Sequence, residues 1–368
     1  MRVIQLNLNH CRAAQDLLAQ TVRECGSDLA ILSEPYKACD TRHWASDSTG
    51  KASLWACGSD PPKLCNIKAG NGYVRAKVGN LWTYSCYLAP SLLLDSFNRI
   101  IEEIVDDARS RTNVLIAGDY NAWAQEWGCQ STNARGRSLL EAFASLDLAL
   151  LNEGTQQTFS RASGGSIIDL TFSSPSLSRE ARWQMANVYT GSDHEAILCT
   201  IGERLRPSRT YCRSKAYIED TLDTRAIARC LESWHDTLDA SANEAANLLA
   251  TRMEEACDSS MRQRKPFTRH HEPIAWWTPE IARLRTMCMK ARRAMQRARR
   301  TARLDSALEE YGSARKALKK AIRSSKRECF LKLCDSADKD PGAGPTSSWR
   351  RSSVQGARRQ LNPTRSRP

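Results

Sequence analysis

Nowhere in the 368 residues do two cysteines form a Cys-x-x-Cys pair, although the chain holds 14 cysteines. That excludes a zinc ribbon and a thioredoxin-type redox site. No apolar run approaches the ~20 residues needed to span a bilayer, so no membrane partner is expected. The opening Met1-Arg2-Val3-Ile4-Gln5-Leu6-Asn7 lacks the apolar core of a secretory signal. The cysteines, scattered from Cys11 to Cys334, are therefore expected to be small reduced core residues of an intracellular protein. The last 28 residues contain no Asp or Glu and almost no aliphatic side chains. Such a segment cannot bury enough apolar surface to offset its ordering entropy.

What is present is unevenly placed. The net charge of +13 resides in the C-terminal quarter, where residues 276–368 hold 24 Lys/Arg against 8 Asp/Glu. Residues 1–275 are left with a net charge of −3. The basic character points to nucleic acid at the C-terminal end and says nothing of the front. The hydrophobic fraction of 41% is enough for a core in part of the chain.

Periodicity supplies the architecture. Strands are expected at Val3–Leu8, Leu29–Leu32, Tyr73–Val78, Leu81–Leu88, Val114–Ala117, Ser166–Phe172 and Glu195–Ile201. Helices are expected at Ala13–Cys25, Leu93–Ala108 and Ser138–Leu146. This mixture suggests α/β layering with mixed sheets over residues 1–204. Residues 205–275 read as a linker with a helical segment, Leu222–Met261. Thr278-Pro279-Glu280 is a helix start with a capping hydroxyl, a first-turn proline and a first-turn acid. It opens a basic helical connector over residues 276–335, and residues 336–368 read as a disordered tail.

Five segments place polar residues at the ends of apolar strands, where open α/β sheets hold ligands. Asn7 and Asn9 alternate with leucines, so both amides are expected on one face. Glu34 ends Leu29–Leu32 and suits a hard cation. Tyr87 precedes the Pro90 turn. Gly118-Asp119-Tyr120-Asn121 supplies an acid and an amide two residues on, suited to water activation and phosphate orientation. Asp169 and the pair Asp193-His194 supply an imidazole with a carboxylate to fix its tautomer. Taken singly, each has an ordinary explanation: a turn, a solvated acid, a packed tyrosine, a structural histidine. Their joint occurrence in this order favours a site.

These residues, with Ser192, resemble the endonuclease/exonuclease/phosphatase superfamily. The wording Asn-Leu-Asn-His-Cys-Arg-Ala-Ala-Gln-Asp-Leu-Leu, then Ser-Glu-Pro-Tyr, then Gly-Ser-Ile-Ile-Asp-Leu-Thr-Phe resembles the apurinic-like endonuclease domain of arthropod non-LTR (LINE-type) retrotransposons. The resemblance covers residues 1–202. Ile274-Ala275-Trp276-Trp277-Thr278-Pro279-Glu280 and the basic helices resemble the same polyproteins' connector ahead of reverse transcriptase.

The resemblance implies a DNase I-like, four-layer sandwich of two mixed β-sheets flanked by helices, followed by an α-helical basic extension. It implies a Mg²⁺ ion, or Mn²⁺, held by Glu34 with Asp193 and Asn9 nearby. Asp119 would act on the attacking water, Asn121 and Asn7 on the phosphate. His194, supported by Asp169 with Tyr87 beside it, would face the scissile phosphate. Arg179, Arg182 and Trp183 would lie in a hairpin beside that phosphate and contact the double-stranded DNA partner. Element RNA is a second expected partner, through the basic helices, and the nucleus is the expected place of action. The products would be a 5′-phosphate and a 3′-hydroxyl, the latter serving as a primer in an intact element.

Departures from the family are also legible. Asn9 stands where repair members carry an acid. No aromatic-Ala-Asp-Asp motif or Cys-Cys-His-Cys knuckle occurs, so the chain reads as truncated before the polymerase. Similarity stops at Pro341, which is the expected mark of a frameshift or of a linker ended by a stop codon. Two other readings stay open at this stage: a phosphoesterase of the same superfamily acting on a small substrate, and a catalytically silent nucleic-acid-binding remnant.

Overall fold

The structure is a computed structural model and describes residues 1–39, 41–58, 60–202, 221–232, 242–261 and 273–339. These fall in two compact units, one of residues 1–203 with 271–368, the other of residues 204–270.

The first unit opens with β1 (Arg2–Asn7), α1 (Arg12–Cys25) and β2 (Leu29–Ser33), the two strands parallel and in register from Val3↔Leu29 to Asn7↔Ser33. Strand alternation divides β1 between two cores. Val3 joins a core with Leu29, Ile31, Leu115 and Ala117, while Ile4, Leu6 and Leu8 pack with Ala14, Leu18 and Val22 of α1. β3 (Trp44–Ser46), β4 (Ala52–Ala56), β5 (Leu64–Ala69), β6 (Tyr73–Val78) and β7 (Leu81–Tyr87) follow. Next come α2 (Leu94–Ala108), β8 (Val114–Asp119), a 3-10 turn (Gln125–Trp127), α3 (Ala134–Ala144) and β9 (Ala149–Leu150). The unit's front part ends with β10 (Phe159–Arg161), β11 (Gly164–Ser166), β12 (Asp169–Ser173), α4 (Pro175–Ser178), β13 (Arg182–Met185) and β14 (Ile197–Thr200).

The strands form two six-stranded mixed sheets, ordered β13-β14-β1-β2-β4-β3 and β5-β6-β7-β8-β12-β9. One core joins side chains of both sheets, among them Val3, Leu29, Leu54, Val74, Leu115 and Ile197. Outside the second sheet, α2 and α3 bury Phe97, Ile101, Ile104, Leu139 and Phe143 against Tyr84, Ile116, Leu170 and Phe172. The layers are helix, sheet, sheet, helix, as expected. Polar bonds also join the sheets. Gln5 Nε2 donates to Gly118 O (3.1 Å), Thr171 Oγ1 donates to Gln5 Oε1 (2.8 Å), and Ser33 Oγ donates to Cys86 O (3.1 Å). Each is buried, so breaking one leaves a desolvated polar group at a cost of about 1–3 kcal/mol.

Ser166–Phe172 is two strands rather than the single one expected from the sequence. Ile167 and Ile168 are buried between the two strands, where the N–H groups of Ile168 and Asp169 donate to Thr158 Oγ1 (3.1 Å each) instead of to a neighbouring strand. β11 pairs with β10 in a separate hairpin and β12 enters the sheet.

In the second unit, α5 (Thr224–Glu232) and α6 (Ala242–Ser260) are tied by Asp223 N donating to Ser260 O (2.7 Å). The helical expectation for Leu222–Met261 is met over those spans. Of the linker expected at residues 205–275, residues 205–220, 233–241 and 262–272 lie outside the described residues. The tail expected from residue 336 starts later, because residues 336–339 belong to the helix that ends at Lys339, and residues 340–368 lie outside the described residues.

α7 (Pro279–Ala298) and α8 (Leu304–Lys339) return to the first unit. Thr278 caps α7 by accepting from Ile281 N (3.2 Å). Ile274, Trp276, Ile281, Leu284, Cys288, Leu318 and Ile322 form one core with Leu17 of α1 and with Tyr189. The basic helices therefore pack on the α1 side of the front domain, and α8 continues as far as Lys339.

Candidate active site

The expected site residues gather where β1, β2, β7 and β8 end and β12 begins. Tyr87 and Asp119 are register partners on parallel β7 and β8. Asp169 faces Asp119 across antiparallel β12 and β8. Gly118 is needed because a Cβ there would lie 2.0 Å from Cys86 O, inside the neighbouring backbone. Close approach of β7 is thus its role.

Asn7 is buried and central. Its Nδ2 donates to Asp119 Oδ2 (2.8 Å) and to Glu34 Oε2 (3.2 Å). Tyr87 Oη donates to Glu34 Oε1 (2.6 Å), and His10 Nε2 lies 3.4 Å from the same oxygen. Glu34 and Asn121 adopt left-handed φ values of 46° and 47°. For Glu34 such a conformation costs about 1–3 kcal/mol and is held by surrounding contacts. Asn121 N donates to Asp119 Oδ1 (3.0 Å) and its Nδ2 to Leu88 O (3.1 Å).

Asn9 does not extend β1. The strand stops at Asn7, and Asn9 turns at φ 45° while its N–H donates to Asn7 Oδ1 (2.7 Å). Its Nδ2 donates to Asp193 Oδ1 (2.9 Å). Asp193 is therefore linked to the cluster through Asn9, and Arg161 pairs with it on the other side (Nε to Oδ2, 2.7 Å). Burial opposes ionisation of Asp193, but His194 and Arg161 hold its carboxyl below the usual range.

His194 is buried, with Nδ1 2.8 Å from Asp169 Oδ2 and Nε2 4.0 Å from both Asp119 Oδ2 and Asp193 Oδ1. Its ring packs on Phe159 with centroids 4.9 Å apart. Burial alone would lower the imidazole pKa, yet the carboxylates of Asp169, Asp119 and Asp193 raise it to about 9. Burial, followed by the Asp169 carboxylate, pushes Asp119 above the usual range, against the pull of His194 and Asn7. Burial and Glu34 keep the Tyr87 phenol neutral. Asp119, Asp169 and His194 offer ligand atoms within 4.8 Å of one another and could hold a metal ion.

Arg179, Arg182 and Trp183 are not brought to this cluster. β13 starts with Arg182 opposite Thr200, which in turn lies opposite Arg2, so it begins at the far end of the sheet from Asn7. Trp183 is buried in the core between the sheets and donates from Nε1 to Thr171 Oγ1 (3.2 Å). The hairpin that borders the cluster is β10–β11, where Phe159 bridges His194 and Arg161 reaches Asp193. Sequence reasoning missed Arg161 and His10. The one signal for the hairpin was Gly164-Gly165 beside Phe159-Ser160-Arg161.

A family profile described as "Endonuclease-reverse transcriptase" matches residues 81–198. No curated protein matches the chain. Among solved structures, the endonuclease domain of TRAS1, a telomere-specific non-LTR retrotransposon, is similar at 24% identity and a TM-score of 0.47, covering 54% of this chain and 97% of that one. An AP endonuclease from Archaeoglobus fulgidus is similar at 12% identity and a TM-score of 0.47, covering 55% and 99%. The 3′-5′ exonuclease NExo from Neisseria meningitidis is similar at 13% identity and a TM-score of 0.43, covering 55% and 99%. The two-sheet fold and the buried Asp–Asp–His cluster fit a nuclease or phosphoesterase.

Proposed function

We propose that this enzyme, whose front unit is an endonuclease domain of the endonuclease/exonuclease/phosphatase superfamily, nicks one strand of duplex DNA with a divalent cation. The observation that carries the reading is His194, fixed by Asp169 at 2.8 Å with its Nε2 turned toward Asp119 and Asp193.

Glu34, Asp193 and Asn9 carry carboxylate and amide oxygens, donor types that fit Mg²⁺ or Mn²⁺ better than zinc. Glu34, Asp193 and Asn9 would hold the ion, and it would supply positive charge against the phosphate. Asp119 accepts a proton from the attacking water, a task favoured by a pKa raised toward neutrality. Asn7 orients Asp119, and Asn121 with Asn7 orients the phosphate. His194, protonated and held by Asp169, stabilises the charge that builds on the phosphate oxygens. Tyr87 fixes Glu34 by donating to it. Hydrolysis leaves a 5′-phosphate and a 3′-hydroxyl, the end that would prime reverse transcription in a parent retroelement. The exposed lysines and arginines of α7 and α8 supply backbone contacts to nucleic acid.

Supercoiled plasmid nicking with magnesium, beside Asp119→Ala, tests the proposal. Magnesium-dependent nicking by the native chain alone supports it. No nicking, with phosphate released from a small phosphomonoester, would replace it with the small-substrate reading.

A further inference from the structure

His194 sits on a segment, Tyr189–Glu195, that belongs to no strand or helix. Inside the segment, Thr190 Oγ1 donates to His194 O (2.8 Å) and accepts from Ser192 N (3.2 Å). Three of the segment's carbonyls, those of Tyr189, Ser192 and Asp193, accept bonds from α7. Arg292 Nη1 donates to Ser192 O (3.1 Å) and Nη2 to Asp193 O (3.0 Å), while Nη2 also pairs with Glu195 Oε1 (3.1 Å). Two turns earlier, Arg285 Nε donates to Tyr189 O (2.9 Å), and its Nη groups bind Glu24 Oε2 (2.8 Å) and Thr21 Oγ1 (2.6 Å) on α1. Further along α7, Gln296 Nε2 donates to Ser160 Oγ (2.9 Å), and Arg299 reaches the same hydroxyl. Ser160 N in turn donates to Asp193 O (2.9 Å).

Residues 285, 292, 296 and 299 share one helix face. Arg285 and Arg292 are both buried, at 5% and 4% exposure, so neither is open to nucleic acid. A buried guanidinium is tolerated only when its donors are paired, and these pair with backbone carbonyls just before His194 and with the Glu195 carboxylate just after it.

We propose that α7 is part of the catalytic unit and that Arg292 is a positioning residue, holding the Ser192–Glu195 backbone so that His194 meets the scissile phosphate. The inference rests on the reading of His194 given above. The basic connector thereby acts on the nuclease reaction through a buried face, whatever its exposed face binds. A planar fork that clasps two successive carbonyls cannot be replaced by a lysine, which offers a point charge.

The test uses the full chain with Arg292→Ala, Arg292→Lys and, on the exposed side of the same helix, Thr286→Ala. Arg292→Ala is expected to lower kcat about 10- to 100-fold with KM nearly unchanged, the effect of a displaced catalytic group. Arg292→Lys should recover only part of the loss, and Thr286→Ala should match the native chain. Amide exchange, measured without metal or DNA, should accelerate over 189–196 in Arg292→Ala while β1 and β8 stay protected. Unchanged exchange and kcat in Arg292→Ala would overturn the proposal. So would exchange that accelerates equally in β1 and β8, because that reports general destabilisation. If Arg292→Ala does not fold, Arg292→Lys decides by the same two readouts. Should the native chain fail to cut DNA, a selective exchange change still supports the coupling of α7 to this segment, and only the nuclease reading falls.

Discussion

Asp119 and Asp169 stand directly opposite each other on antiparallel β8 and β12, and both carboxylates are buried. Two such charges are tolerable because His194 lies between them, 2.8 Å from Asp169 and 4.0 Å from Asp119. On the proposed reading the pair divides two roles: Asp169 orients the imidazole, and Asp119 acts on the attacking water. Asp169→Asn should return the His194 pKa from about 9 toward its ordinary 6.5, with nicking slowed about 10²–10³-fold. Titration of the His194 ring signals by NMR checks the first part, and an unmoved pKa would contradict it.

The same pair shapes stability. His194 is raised in the folded protein, so its pairing stabilises the fold fully below the unfolded pKa of 6.5 and is lost as pH rises through about 9. The difference in unfolding free energy between the native chain and Asp169→Asn, measured by denaturant titration in metal-free buffer, should shrink between pH 6.5 and pH 9. A difference that grows over this window would contradict the charge assignment.

Glu34 is tied by Tyr87 at 2.6 Å and by Asn7 at 3.2 Å, which aims its carboxylate. EDTA should abolish nicking and magnesium should restore it. Glu34→Gln should raise the magnesium concentration needed for half-maximal rate. Full activity in EDTA would refute a metal-assisted reaction.

Arg161 is the exposed group nearest the cluster on the β10–β11 hairpin. Exchange of the turn residues Ala162-Ser163-Gly164 should shift the preferred nick positions on a long duplex, whereas Arg182→Ala, at the far end of β13, should leave them unchanged. The reverse pattern would restore Arg179, Arg182 and Trp183 to the role that the resemblance implied.

On α8, Lys316, Lys319, Lys320, Arg323 and Arg327 are exposed. Changing the first four to glutamate should weaken duplex retention at low salt and flatten its salt dependence, by loss of counterion release. The maximal nicking rate should hold. Retention unchanged across the salt series would leave these helices a packing role alone.

Much of this site was legible because Asn7, Glu34 and Asp119 are polar residues closing apolar strands and Asp169 is a polar residue opening one. Some strands that escaped notice are short or irregular: Trp44–Ser46 spans three residues, and the β5 pairing slips between Cys65 and Lys68. The hairpin was misplaced because Arg179, Arg182 and Trp183 carry the right chemistry in the wrong part of the sheet. Burial of Trp183 follows from β13 pairing with β14, a long-range fact that composition does not carry. Arg285 and Arg292 were unreadable for a different reason. In sequence a buried arginine on a basic helix looks the same as a solvated one, and only packing against Tyr189–Glu195 tells them apart.

The measurement that bears most directly on the central claim is the single-turnover rate of plasmid nicking with magnesium by the native chain, His194→Ala and Asp119→Ala, with folding of each checked by circular dichroism. The account predicts that both variants fold and that each loses about 10²–10³-fold in rate. A His194→Ala protein that nicks at the native rate would contradict it.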